Sequence, residues 1–305
     1  MDGLVSLMSG RFSDEITYVD AASELERVCD WLTSLGIEYS RTRIGRYRTL
    51  FTELAEAHRE NRIDEFNDKY SFAEFVNAAY ERSELVRIFA GLKSLSDAGL
   101  IDRLKDALKG HELYVMDNTD RSGRDFSLEL SAAARFARQG YRIDFDHEAD
   151  LKVDMGEFTL YVECKRLKSA AKVERRIKDA IAQLEKRYRS SSSSEITRGL
   201  AFFSTGKIVN EELGVLTGPT FDSLGAAAGE INKRFISQFK HLWEKPGRDM
   251  RTLGAAVQLD VPARVESGGP LQTLHEVAFH TTTHAMTLDH HRFLRVGEVF
   301  RSQDW

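Results

Sequence analysis

Residues 149–165 read Ala149-Asp150-Leu151-Lys152-Val153-Asp154-Met155-Gly156-Glu157-Phe158-Thr159-Leu160-Tyr161-Val162-Glu163-Cys164-Lys165. Two alternating runs flank Gly156-Glu157, and a glycine at the first position of a two-residue loop is what one of the favoured hairpin turns requires. Such a turn pairs Met155 with Phe158 and, further along, sets Asp150 opposite Glu163. Alternation puts Leu151, Val153, Met155, Phe158, Leu160, Val162 and Cys164 on a core face. Glu148, Asp150, Lys152, Asp154, Thr159, Tyr161, Glu163 and Lys165 fall on the other. Two carboxylates that meet directly repel unless a cation or a proton intervenes. Carboxylates on adjacent strands suit a hard divalent cation, Mg²⁺ or Mn²⁺, which takes oxygen ligands and is commonly shared with substrate phosphates. Lys165 shares the face of Glu163, where an ammonium can orient water or offset charge on a phosphate. The competing reading is a solvated hairpin whose lysines pair with its carboxylates for under ~1 kcal/mol each. Cys164, on the core face, reads as a small buried hydrophobe.

Outward from the hairpin, Phe126 to Arg138 reads as a helix that carries Glu129 among small and apolar residues, and Val173 to Tyr188 as a second helix. The stripe of the second is Val173, Ile177, Ala180, Ile181, Leu184 and Tyr188; Lys172, Arg176, Gln183 and Arg187 form one shoulder beside it. From Lys165 to Arg189 ten basic residues meet three acidic ones, a local net of +7 in a chain of net −5. That asymmetry favours a localised phosphate-binding strip, because the molecule as a whole is no polycation. Tyr141 to Phe145, Leu200 to Ser204, Leu253 to Val261 and His275 to Phe279 read as strands, with a long helix from about Asp222 to Trp243. The first 110 residues read as all-helical, from apolar spacings in Ala21 to Leu35, Ile44 to Glu60, Ser71 to Leu95 and Asp97 to Lys109. The expected organisation is a helical region, 1–110, followed by an α/β domain with a mixed central sheet flanked by helices, 111–305.

Composition bounds the classes. With 42% hydrophobic and 30% charged residues and four prolines among 305, the chain is neither disordered nor fibrous. Cys29 and Cys164 are too few for a disulfide framework or a four-cysteine zinc site. Five of nine histidines fall between His275 and His291, but in a β-leaning stretch where a spacing of four does not align side chains. The start, Met1 to Glu15, shows no apolar run followed by a cleavage site, and no ~18-residue apolar span occurs, so a cytoplasmic protein without membrane contact is expected.

Together the acidic residue, the Glu-X-Lys tripeptide on the next strand, the preceding Glu-bearing helix and the following basic helix resemble the PD-(D/E)XK nuclease superfamily, also called restriction-endonuclease-like. Ala149 stands where that signature has proline. The resemblance spans about residues 124–205 and does not reach the helical first third. It implies Asp150, Glu163 and Lys165 as catalytic residues, Asp150, Glu163 and Glu129 as ligands of Mg²⁺ (or Mn²⁺), and a restriction-endonuclease-like sheet. Lys172, Arg176, Gln183 and Arg187 are the expected nucleic-acid contacts. The implied activity is metal-dependent hydrolysis of phosphodiester bonds in nucleic acid, with DNA the expected polymer, in restriction, phage defence or repair. A homodimer or a defence-system partner is the expected company. The alternative is a non-cleaving nucleic-acid-binding or assembly subunit on the same fold.

Overall fold

A computed structural model describes residues 17–117, 122–145, 150–190, 196–268 and 271–301, and the backbone of two earlier two-residue strands. Glu148 and Ala149 lie outside the described residues. The strands β1 (Leu4–Val5) and β2 (Arg11–Phe12) precede the helices α1 (Tyr18–Ser34), α2 (Arg43–Arg59), α3 (Ile63–Lys69), α4 (Phe72–Leu92) and α5 (Ala98–Ala107). There follow α6 (Gly123–Arg138), β3 (Arg142–Asp144), β4 (Leu151–Asp154), β5 (Thr159–Arg166), α7 (Val173–Ser190), β6 (Thr197–Ser204), α8 (Gly206–Val209) and β7 (Leu216–Gly218). The last elements are α9 (Phe221–Gln238), α10 (Lys240–Trp243), β8 (Thr252–Val265), β9 (Gln272–Thr281) and α11 (Leu288–Arg301). No helix among the described residues is long and apolar enough to cross a membrane.

The sheet is mixed, as expected, in the order β1-β9-β8-β6-β5-β4-β3, with β2 also on β9 and β7 also on β8. β5, β6 and β8 run parallel in its centre; β4 and β9 pair antiparallel at its flanks. The first region is helix-rich rather than all-helical, because β1 and β2 both join β9. Two-residue strands are too short to alternate, so periodicity does not find them. Helix α11 has no counterpart among the expected elements either. Its buried residues Phe293, Val296 and Phe300 lie beyond a histidine-rich start that masks the stripe.

Local chemistry explains where helices begin. Thr17 with Asp20 and Ser71 with Glu74 form capping boxes at α1 and α4, and Ser122 N–H donates to Asp125 Oδ2 at 2.9 Å at the start of α6. One apolar core joins α1, α2, α4 and α5 to α6, α11 and the sheet face bearing Leu160, Val162, Leu200 and Phe202. It crosses residue 110 without interruption. Gly91 of α4 lies so close to α6 that an added Cβ would stand 2.5 Å from the carbonyl oxygen of Ala134. On the opposite sheet face Tyr161, Ala201 and Phe203 pack against Val173, Ile177, Ala180, Leu184 and Tyr188 of α7. On the polar face of the hairpin Tyr161 and Glu163 of β5 are thus buried, whereas Asp154 of β4 stays exposed. A strand with neighbours on both sides and helices on both faces, as β5 has near its end, is dry on both.

Charged groups tie α4 to its surroundings. Glu81 accepts from Arg43 Nε at 2.7 Å and from Arg124 Nε at 2.5 Å, all three buried. Towards the sheet, Arg87 contacts His275, whose Nδ1 lies 2.8 Å from Asp260 Oδ1, and Gln258 Nε2 donates to Asp260 Oδ2 at 2.5 Å. Ser83 Oγ is 3.4 Å from His275 Nε2. The connectivity is that of a hydrolytic Ser-His-Asp triad, but all three side chains are buried and Arg87 sits against both ring nitrogens. The network is a structural anchor between α4 and the sheet.

Candidate functional site

The hairpin turn sets the geometry. Gly156 takes φ +82°, Met155 N–H donates to Phe158 O at 3.0 Å, and Leu151 pairs with Val162, the register expected from a two-residue Gly-first turn. Asp150, one residue before β4, then reaches Glu163 and Lys165 near the end of β5. Lys165 Nζ donates to Glu163 Oε1 at 2.5 Å and stands 3.6 Å from Asp150 Oδ2. The same Asp150 oxygen accepts the N–H of Cys164 at 2.8 Å. Glu129 arrives from α6, across the sheet edge, with its carboxylate ion-paired to Arg103 of α5. The Arg103 guanidinium lies 5.7 Å from the centroid of the Phe126 ring. Lys168 Nζ holds α6 in place by donating to Ser122 Oγ and Asp125 Oδ2, each at 2.8 Å.

Burial and a neighbouring negative charge raise Glu163 and Glu129. Glu163, only 2% exposed, is pushed up to about 7 by burial and then by the charge of Asp150. Glu129 is raised well above the usual carboxylate range for the same two reasons, with Arg103 and Lys165 opposing. Burial works against the ammonium of Lys165, but Asp150 and Glu163 outweigh it and raise its pKa, so Lys165 stays charged at neutral pH. The cluster is short of positive charge.

Glu129, Asp150, Lys165, Arg176 and Gln183 line one cleft of about 510 Å³. Glu163 is held beneath Lys165 rather than on the wall. Of the expected shoulder of α7, Lys172 and Arg187 do not line this cleft, whereas Lys186 does. The cleft follows α7 in steps of three and four, through Arg176, Asp179, Gln183 and Lys186, and the next step back towards the sheet takes Arg187 off it. Arg103, Lys168 and Lys186 are not legible as site residues in the sequence. Nothing distinguishes them locally from other surface cations. A larger cleft, about 810 Å³, opens beside the start of α2, but Arg43, Arg46 and Lys109 on its walls are engaged by Glu81, Glu112 and Asp106.

Among the described residues no group of three or more His, Cys, Asp or Glu converges as a ready metal cage. The Lys165 ammonium stands between Asp150 and Glu163, where it meets part of the charge that an ion would meet. The donors nevertheless fit a hard cation, because they are carboxylate oxygens from three separate elements, and Glu129 and Glu163 are raised first by burial and then by the neighbouring charge of Asp150. No protein-family model, no curated protein and no solved structure matches this chain.

Proposed function

We propose that the chain is a metal-dependent nuclease with a restriction-endonuclease-like core, acting on the phosphodiester backbone of nucleic acid, with DNA the expected polymer. The observation that carries this reading is the convergence of Asp150, Lys165 and Glu129, from a loop, a strand and a helix, on one cleft that runs on along basic α7, with Glu163 hydrogen-bonded to Lys165 just beneath the wall. Asp150 and Glu129 on the wall, with Glu163 beneath Lys165, would hold Mg²⁺ or Mn²⁺. When bound, the ion supplies Lewis-acid stabilisation of the charge that builds on phosphoryl oxygens. Lys165 is a donor in this scheme: its Nζ donates to Glu163 and can orient a water oxygen and offset phosphoryl charge. Arg176, Gln183 and Lys186 line the same cleft and would fix the strand by its phosphates.

The test is incubation of the purified protein with duplex DNA, single-stranded DNA and RNA, each with Mg²⁺, Mn²⁺ or chelator. Cleavage should require the metal and fall by orders of magnitude in Glu163→Gln and Lys165→Ala. Both positions are buried or nearly so, so circular dichroism must show each variant folded. Turnover like the parent's in a folded Glu163→Gln would end the assignment.

A further inference from the structure

Beside the acidic cleft lies a second cavity of about 390 Å³, and Arg166, Lys168 and Arg176 line both. It forms where β5 ends, between the connection into α7 and the start of α8. Its walls also carry Lys172 and Lys207, against one carboxylate, Glu211. Two of these cations are fixed before any ligand arrives. Lys207 is buried and donates to the carbonyl oxygens of Tyr114, Val115 and Glu211 at 3.0, 3.2 and 3.1 Å. Arg166, 9% exposed, lies 4.7 Å over the Tyr114 ring and 3.6 Å from Asp117, yet its buried Nη2 has no hydrogen-bond partner. Held there, the guanidinium is a fixed positive charge on the cavity wall, where an anionic oxygen is favoured. Lys172 stands exposed at the rim.

We infer that this cavity binds a phosphate of the same nucleic-acid strand whose neighbouring phosphodiester lies in the acidic cleft, with Arg166 as a positioning residue and Lys172 as the rim contact. The inference rests on the nuclease reading of the adjoining cleft. A polyanion is repelled by three carboxylates, and a fixed cationic pocket next to them offsets that repulsion and sets which phosphate is presented. The volume suits one nucleotide unit rather than a duplex. The phosphate is either a chain-terminal monoester or an internal diester, which share this chemistry.

Binding is measured in chelator with a short single-stranded DNA and the matching RNA, each with and without a 5′-phosphate. Lys172→Ala and Arg166→Lys should each weaken binding about tenfold and lower the salt slope by about 0.7 for each phosphate no longer neutralised. Lys178→Ala, an exposed cation of α7 that lines neither cavity, should stay within about twofold of the parent. If the occupant is a terminal phosphate, its removal costs as much as Lys172→Ala and the two losses do not add; if internal, the variants lose equally on either oligonucleotide. Parent-like binding by both pocket variants, an equal loss in Lys178→Ala, or no binding of any oligonucleotide would overturn the inference. Arg166→Lys alters a buried group, so the exposed Lys172→Ala decides if that variant is misfolded. A parent that binds as described but never cleaves with Mg²⁺ or Mn²⁺ refutes the nuclease reading and leaves the pocket standing. A parent that cleaves, with pocket variants that bind unchanged, refutes the pocket alone.

Discussion

Asp150 uses one oxygen both to accept the Cys164 N–H and to face Lys165, so its shape and its charge are separable. Asparagine in its place keeps an acceptor for that N–H and removes one of three crowded negative charges. Asp150→Asn should therefore melt, in chelator, at the same or a higher temperature than the parent, as expected where a functional site is kept at the expense of stability. A cation that binds only the folded state stabilises with the logarithm of its occupancy, so Mg²⁺ or Mn²⁺ should raise the parent's melting temperature more than the variant's. Thermal unfolding of both across a metal titration checks this. A clearly destabilised variant with an identical metal shift would make Asp150 an ordinary structural residue.

Among the elements, α6 is the one that the site depends on and that the hairpin does not position. It brings Glu129 to the cleft, is gripped at its start by Lys168, and is set against α4 by the Gly91–Ala134 approach. A Cβ at Gly91 would come within 2.7 Å of the carbonyl oxygen, Cβ and Cα of Ala134, and a backbone neighbour cannot swing aside as a long side chain can. Gly91→Ala gains helix propensity of about 1 kcal/mol, but overpacking of this kind costs roughly 1–3 kcal/mol or more. The net should be destabilising, and metal-dependent cleavage should fall because α6 and Glu129 must shift. Urea unfolding beside a cleavage assay tests it; a variant as stable and as active as the parent would show that the two helices separate at no cost.

At the scale of the molecule, the helical region and the sheet share one core and one buried ionic anchor, so they should respond to pH together. His275 is lowered to about 4, because burial and then Arg87 disfavour its charge, with Arg135 adding and Asp260 opposing. Its ordinary value is 6.5, so as pH falls below that value the unfolded chain takes up the proton first. The stability it contributes is complete above about 6.5 and is lost towards pH 4, by up to roughly 3 kcal/mol. Asp260 faces burial, but His275 and Arg87 outweigh it and depress its carboxyl, which adds loss of the same sign at lower pH. Glu84 and Glu276, each pushed up to about 7 by burial, act in the opposite sense over the upper part of the window. The parent's net slope is thus a difference, and His275→Gln isolates one part of it. The stability gap between parent and variant should narrow from pH 7 to pH 4 in urea unfolding. A gap that stays constant would remove His275 from the account.

Local periodicity settled the hairpin. A glycine-first, two-residue turn between alternating runs leaves one register, and that register alone brings Asp150 to Glu163 and Lys165. The buried stripe of α7 followed from spacing in the same way, and Arg176 and Gln183 with it. Strand order, the burial of Tyr161 and Glu163 on the hairpin's polar face, and the addition of β1 and β2 to β9 were decided by tertiary structure. So were the Arg103–Glu129 pair and the pocket shared by Arg166, Lys172 and Lys207. These contacts join residues far apart in the chain, and a cation or a carboxylate looks the same in sequence whether water or a buried partner will meet it. Only packing removes the water, and with it the screening that makes one charge equivalent to another.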